Sequence, residues 1–288
     1  MPLPAPFCLC ADDFALSPSV SRGIIEALSA KRLSATGVMT TRPAWPQGAR
    51  ELQPFQSIAD IGLHLNLTLG HPIGPMPTLA PQGDLPGISK LARSALSKNL
   101  PVDEISGEIA RQLDRFTEEL GAPPAFIDGH HHVHVLPQVR SLLFARLEER
   151  GLQAKVWLRT STDRLSRILR RGRHAGKALA AVWIAWGFAE EASRRGFAMN
   201  DGFSGFSAFD PKSDYADEFE HSVIAPGPRH LVMCHPGYCD EELAAADRVT
   251  VRREQELKFL LSPAFAELLD RKGLRLARLS DVIASEKI

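Results

Sequence analysis

Four short segments of this 288-residue sequence place titratable side chains directly after apolar, strand-like runs. The first is Cys10-Ala11-Asp12-Asp13-Phe14. Neighbouring residues at a strand end point in different directions, so one carboxylate can bind a metal while the other acts as a base. The second, Gly62-Leu63-His64-Leu65-Asn66-Leu67-Thr68, alternates apolar and polar residues and puts His64 and Asn66 on one strand face. The third is Asp128-Gly129-His130-His131-His132-Val133-His134, which holds four of the ten histidines. Neutral imidazole is a common ligand for divalent transition metals. An extended chain aligns His130, His132 and His134, and a turn at Gly129 breaks that alignment. One or two of these rings can then reach a single ion, and the others meet substrate or backbone. Asp128 is placed to orient a liganding histidine through its second ring nitrogen. The fourth, Cys234-His235-Pro236-Gly237-Tyr238, ends a β-run in a histidine suited to proton transfer near neutral pH.

Each segment alone has a plain structural explanation: a capped turn at Asp12 or Asp13, a hydrogen-bonded core histidine at 64, a solvated turn at 130–134, a structural turn at 235. Four strand ends that converge on one face are harder to explain that way, and together they point to a metal-assisted site. The sequence contains no HExxH, CxxC pair, GxxxxGK or GxSxG, which disfavours zincin, zinc-finger, P-loop and serine-hydrolase chemistry. Arg159, at another expected strand end, is either a substrate contact or half of a surface ion pair. His71, His174, His221 and His230 sit in ordinary surface or core contexts.

The elements that must position these residues alternate. Strands are expected over 7–11, 35–41, 58–67, 125–128, 156–159, 230–234 and 274–279. Helices are expected over 19–31, 46–52, 102–120, 137–150, 165–171, 175–195 and 249–272, the last broken at Pro263. Strand–helix alternation implies βα units and a parallel sheet. About seven mostly parallel strands over this length suit an α/β fold of the distorted or incomplete (β/α) TIM-like barrel type, in a single domain spanning 1–288. Segments 70–87 and 199–217 read as loops near the site.

Composition narrows the function classes. Hydrophobic residues at 44% and charged residues at 24% describe a folded globular chain rather than a disordered one. Lysine plus arginine (34) balances aspartate plus glutamate (34), so there is no overall field for nucleic acid or an anionic surface. The Arg170-Arg171-Gly172-Arg173 run with Lys177 lacks interleaved stacking aromatics and reads as a solvated helix end. The apolar stretch 178–189 is too short to span a bilayer and reads as a buried helix or a subunit contact in a homodimer, with Trp183 and Trp186 in it. Cys8, Cys10 and Cys234 read as buried free thiols, with Cys239 more exposed. With no signal peptide evident at the N-terminus, the expected compartment is the cytoplasm.

These motifs, in this order and spacing, resemble the YdjC-like carbohydrate deacetylases, which include chito-oligosaccharide deacetylases and hopanoid-associated relatives. The resemblance covers nearly the whole chain. It implies a distorted (β/α) barrel and one divalent metal ion, Mg2+ first and Zn2+ as the alternative. By position Asp13, His64 and His130 match the metal ligands, Asp12 the catalytic base and His235 the acid. Asp128, His132, His134, Asn66 and Arg159 then become substrate contacts or supports of the ligands. The implied reaction is removal of the N-acetyl group from an acetylated amino sugar, a chito-oligosaccharide or an N-acetylglucosaminyl glycoconjugate, with release of acetate. The implied partner is a small-molecule sugar, without nucleic acid or a membrane span. Hydrolysis of another ester or phosphoester, or sugar binding without turnover, are the competing readings. Two positions depart from the family pattern: Ala15 stands where glycine is usual, and Gly129 where serine is common.

Overall fold

The structure is a computed structural model and describes residues 3–286. It contains β1 (Ala5–Phe14), β2 (Ala35–Val38), β3 (Asp60–Leu65), β4 (Phe126–Gly129), β5 (Trp157–Leu158), β6 (Ala198–Met199), β7 (Phe203–Ser204), β8 (Leu231–Cys234) and β9 (Leu274–Leu276). Eight strands run in the order β6-β5-β4-β3-β2-β1-β8-β7, and β9 pairs with the start of β1. All named strand pairs are parallel. Helices on the strand crossovers cover the sheet, so strands buried on both faces read as near-continuous apolar runs. β1, buried from Phe7 to Phe14, is the clearest case.

The sheet curls. Its two edge strands, β6 and β7, are joined by only three residues, 200–202. The Asn200 side chain donates to the carbonyls of Thr160 (3.1 Å) and Gly202 (3.0 Å), tying that turn back to the end of β5. The result is the distorted TIM-like barrel expected from the alternation. Each expected strand is present. The two extra strands, β6 and β7, are two residues long, below the length at which periodicity can be read, and lie in or beside the segment taken for a loop.

Local signals set most helix ends. Ser17 Oγ accepts from Val20 N (3.3 Å) and Pro18 opens the first helix, Pro18–Ser29. Pro263 divides the long C-terminal pattern into Val251–Leu261 and Pro263–Lys272. The expected helix over 175–195 is likewise two helices, Ala175–Ile184 and Phe188–Arg194, separated at Gly187, whose φ of 77° no ordinary helical residue adopts. Its apolar character does not make it buried: Trp183 and Trp186 are 67% and 79% exposed. A helix at Ile88–Leu96 was not expected. Segment 70–87 does not cover the site. Its backbone is pinned to helix Val102–Leu120, where Glu108 accepts from Ile73 N (2.9 Å) and Glu104 from Thr78 N and Leu79 N (2.9 Å each). Among the described residues no helix is long and apolar enough to cross a membrane.

His230, at the foot of β8, is a core residue as expected. It is fully buried, with Nε2 on Ser204 Oγ (2.9 Å) and Nδ1 accepting from Gly227 N (3.3 Å). Burial, helped by Arg171, lowers its pKa from 6.5 to about 3. Below 6.5 the unfolded chain takes a proton that the native ring refuses. Its stabilising contribution is therefore complete above that value and lost as pH falls toward 3. The unfolding free energy should drop by about 1.4 kcal/mol per pH unit for this one proton. Urea unfolding across that range should show a shallower acid slope in His230→Gln; an unchanged slope would remove the assignment.

Candidate active site

Because the sheet is parallel, the C-terminal ends of β1, β3, β4, β5 and β8 open on one face. That face carries a cavity of about 410 Å³, lined by Asp12, Asp13, His64, His130, His131, His132, Arg253 and His235 on its polar side. Ile88, Leu136, Ile184, Phe206 and Met233 supply its apolar lining.

Asp12 and Asp13 are adjacent, and a regular strand would send them to opposite faces. The β1–β2 register slips between Ala11 and Phe14, where β1 carries one more residue than β2. Asp13 takes φ 68° in this bulge, which re-aims its side chain so that both carboxylates reach the cavity. Ala15 follows at φ 70°, a left-handed position that explains why glycine would suit it.

Asp13 is the centre of the first cluster. Its Oδ1 lies 2.9 Å from His130 Nδ1 and 3.3 Å from His64 Nε2. Its Oδ2 accepts from Arg253 Nη2 at 2.6 Å. Burial opposes the charge on Asp13, but Arg253 and His130 hold its carboxyl well below the usual carboxylate range. His64 Nδ1 meets Asp128 Oδ1 at 2.7 Å; the two residues face each other in the β3–β4 register. That pair packs against the backbone of β2 at Gly37, where a Cβ would come within 3.1 Å of both side chains.

The donor atoms of Asp13, His64 and His130 all lie within 4.8 Å of one another, close enough to share one ion. The chemistry fits. With Asp128 taking the Nδ1 proton of His64, the Nε2 lone pair faces a carboxylate oxygen, and only a cation or a second proton reconciles them. When a proton does so, the Asp128 carboxylate, with Asp13 and Asp12, outweighs burial and raises the His64 pKa to about 10. Charge agrees too. Asp12, Asp13, Asp128 and Asp247 face Arg159 and Arg253, four carboxylates against two guanidiniums, which leaves two negative charges. A second cluster, Cys10, Asp12 and Asp128, has donor spacing just as close. Its cation is already present: the Arg159 guanidinium.

Arg159, just beyond β5, is fully buried. Nη1 donates to Asp12 Oδ2 at 2.8 Å, while Nη2 bonds Asp12 Oδ1 and Asp128 and lies 3.2 Å from Cys10 Sγ. Against the cost of burial, Arg159 keeps Asp12 far below the usual carboxylate range. Arg159 thus forms a buried ion pair, not a surface one; it does not line the cavity but joins Asp12 to Asp128.

The histidine cluster is a 3-10 turn, His130–Val135, in which His131 (φ 53°) and His132 (φ 58°) are both left-handed. Three consecutive rings therefore line the cavity, including His131, which alternation leaves out. His131 Nδ1 is 3.0 Å from Thr68 Oγ1, and His132 Nδ1 is 3.0 Å from Ser161 Oγ. His134 turns away from the cavity, and its Nε2 bonds the Arg159 carbonyl at 2.9 Å, so it supports Arg159 instead of meeting substrate. Gly129 cannot be exchanged freely here, because a Cβ would lie 3.0 Å from Val133 and 3.1 Å from His134. Asn66 is also withdrawn from the cavity: its Oδ1 accepts from Thr68 N and Leu69 N (3.1 Å each), closing the turn after β3.

A family model, YdjC-like protein, matches residues 7–271. The chain belongs to the YdjC-like family. Curated relatives named chitooligosaccharide deacetylase, from Klebsiella pneumoniae subsp. pneumoniae and Yersinia pestis, are each 29% identical. The alignments cover 94% of this chain and 97% and 96% of those proteins. A solved structure from Enterococcus faecalis V583, whose name proposes cellobiose-phosphate cleavage, superposes with a TM-score of 0.74 at 22% identity over 97% of this chain and 99% of that one. That likeness concerns the fold.

In this YdjC-like protein Asp12, Asp13, His64, His130, His132 and His235 come together as the sequence motifs suggested. Two participants had no local signal. Arg253 lies in Val251–Leu261, whose charged sequence reads as a solvated face, yet it is 1% exposed and bridges Asp13 and Asp247 (2.7 Å). Glu256, one turn on, is buried and accepts from His235 N at 2.6 Å. Burial raises its carboxyl, with His235 pulling the other way.

Titration of metal-stripped protein by calorimetry should show one divalent ion bound per chain. Asp128→Asn should weaken that binding about 10- to 100-fold by freeing the His64 ring. His64→Gln and His130→Gln should weaken it further. Unchanged affinity in all three would move the site elsewhere.

Proposed function

We propose that this protein is a metal-dependent hydrolase that removes the N-acetyl group from an acetylated amino sugar and releases acetate. The observation that carries the reading is one cavity bordered by a three-residue ligand cluster, an ionised Asp12 and His235. The curated names of the family relatives support the same class of reaction.

A divalent ion held by Asp13, His64 and His130 would supply Lewis-acid polarisation of the acetyl carbonyl and a more acidic water. Two imidazoles and a carboxylate are the donor set of a zinc-class ion more than of magnesium, which prefers oxygen ligands. The chain's own residues do the rest. Asp12 stays ionised at any working pH because Arg159 bonds both its oxygens, and that grip also fixes the direction in which its free lone pairs point. It takes the proton of the attacking water. His235 gives a proton to the departing nitrogen, since an amide leaves poorly as an anion. Its position is set by its backbone bond to Glu256 and by the edge-on Phe209 ring, centroids 5.1 Å apart. The apolar lining receives the acetyl methyl and the sugar faces.

Phosphoester hydrolysis is the weaker reading. Arg253 reaches the cavity with Nη2 bonded to Asp13 and Asp247 and Nη1 unpartnered among the described residues, so it is the names of the curated relatives, chitooligosaccharide deacetylases, that favour the amide over a phosphoester. Metal-stripped protein should be reloaded with zinc, magnesium, manganese or cobalt and assayed for acetate release from N-acetylglucosamine and its oligomers. Asp12→Asn and His235→Ala should each lower turnover by about 10²- to 10⁴-fold while metal binding persists. Full activity in Asp12→Asn would remove Asp12 as the base. Phosphate release without any acetate release would replace the reading altogether.

A further inference from the structure

The exposed apolar residues of this molecule are not scattered. Among the described residues ten large apolar side chains are exposed, and five of them lie between 165 and 186: Leu165 (57%), Leu169 (60%), Leu179 (40%), Trp183 (67%) and Trp186 (79%). Leu165 and Leu169 lie one turn apart on helix Leu165–Arg171, and Leu179 and Trp183 one turn apart on helix Ala175–Ile184. The two helices pack on each other across the short connection 172–174. Each therefore turns an apolar stripe to solvent where an isolated surface helix would turn polar residues.

The same stretch carries the chain's charge asymmetry. Residues 164–189 contain six cations, Arg164, Arg167, Arg170, Arg171, Arg173 and Lys177, and no acid, in a chain that balances overall at 34 cations and 34 acids, so the remainder holds six more acids than cations. Arg167 and Arg171 turn inward to Asp163. Arg164, Arg170, Arg173 and Lys177 are exposed. Arg173 meets Asp217, Arg164 reaches Asp201 at 3.8 Å, and Lys177 donates to the Ser207 carbonyl.

We propose that the helix pair 165–184, with Trp186, is a docking surface for an anionic lipid bilayer, which it meets in the plane of the headgroups. Tryptophan and leucine beside arginine and lysine form the side-chain set that partitions into that interface. The charge distribution selects the bilayer over a second copy of the chain. Arg170 and Lys177 have no carboxylate partner among the described residues, and a two-fold contact would bring them against their own copies, whereas anionic headgroups complement them. Helix Ala175–Ile184 also lines the cavity through Lys177, Ala181 and Ile184, so one helix carries both part of the cavity wall and the docking stripe.

The protein carries its own reporter. Of its four tryptophans, Trp45 and Trp157 are buried at 0% and 3% exposure, so a change in emission on binding reads Trp183 and Trp186. The full chain should be mixed with vesicles of phosphatidylcholine alone and of phosphatidylcholine with phosphatidylglycerol. The expected result is co-sedimentation and a blue-shifted emission with the anionic vesicles only, both weakened by added salt. Arg170→Ala should weaken partitioning about fivefold. The double variant Trp183→Ser, Trp186→Ser should abolish it while unfolding at the parent temperature, because neither ring is in the core. Absence of sedimentation with anionic vesicles overturns the proposal, as does equal binding to the neutral ones. So does a concentration-dependent dimer that the double variant disrupts and vesicles do not compete away.

Discussion

The buried Arg159 guanidinium is the interaction on which the site depends. A cation with no exposed surface is costly unless its hydrogen bonds and its charge are both answered. Here Asp12 and Asp128 answer its charge and bond both terminal nitrogens, and Nε alone has no partner among the described residues. The consequence is mechanical as well as electrostatic. Asp12 borders the cavity on one side, and Asp128 bonds His64 of the Asp13–His64–His130 cluster on the other. One rigid planar group therefore sets the separation between side chains carried by β1 and β4, three positions apart in the sheet. His134 bonds the Arg159 carbonyl and so fixes the backbone from which the guanidinium extends.

Around this pair the site gathers more negative charge than the protein itself cancels. Arg253 relieves Asp13 from one side, and the histidines face it from the other. The arrangement is bought with backbone strain: Asp13, Ala15, His131 and His132 all adopt positive φ. Such conformations persist where surrounding contacts over-determine them. Each has an identifiable return. The Asp13 bulge lets two neighbouring carboxylates share a cavity, and the left-handed pair at 131–132 lets three neighbouring rings do so.

What was legible in the sequence was whatever is local. An apolar run ending in Asp-Asp, in His64, in Gly-His or in His-Pro-Gly announces both the strand and the residue at its mouth, and parallel order brings those mouths together. That Asp128 orients a liganding histidine was legible from its place beside the cluster; that the histidine is His64 follows only from the β3–β4 register. Residues whose role depends on a distant element were not. Arg159 looks like any arginine at a strand end until Asp12 and Asp128 are placed on either side of it. Arg253 and Glu256 stand in a run, Val251–Leu261, whose charges imitate a solvated helix face. His134 and Asn66 shared the alternation of residues that line the cavity, yet a turn withdrew each of them. β6 and β7 were too short to carry a period.

Helix 175–184 marks the deeper limit of periodicity. Apolar residues recur along it, and the ordinary inference is burial; yet Ala181 and Ala185 face inward while both nearby tryptophans face out. Periodicity reports that a helix has an apolar side and is silent on what that side meets. The small residues Ala180 and Ala181, with Ile184, form part of the cavity wall. The large ones are left on the outer surface, beside cations that a protein core would reject. The same alanine-rich sequence thus closes one side of the cavity with small residues and turns its bulkiest side chains to solvent.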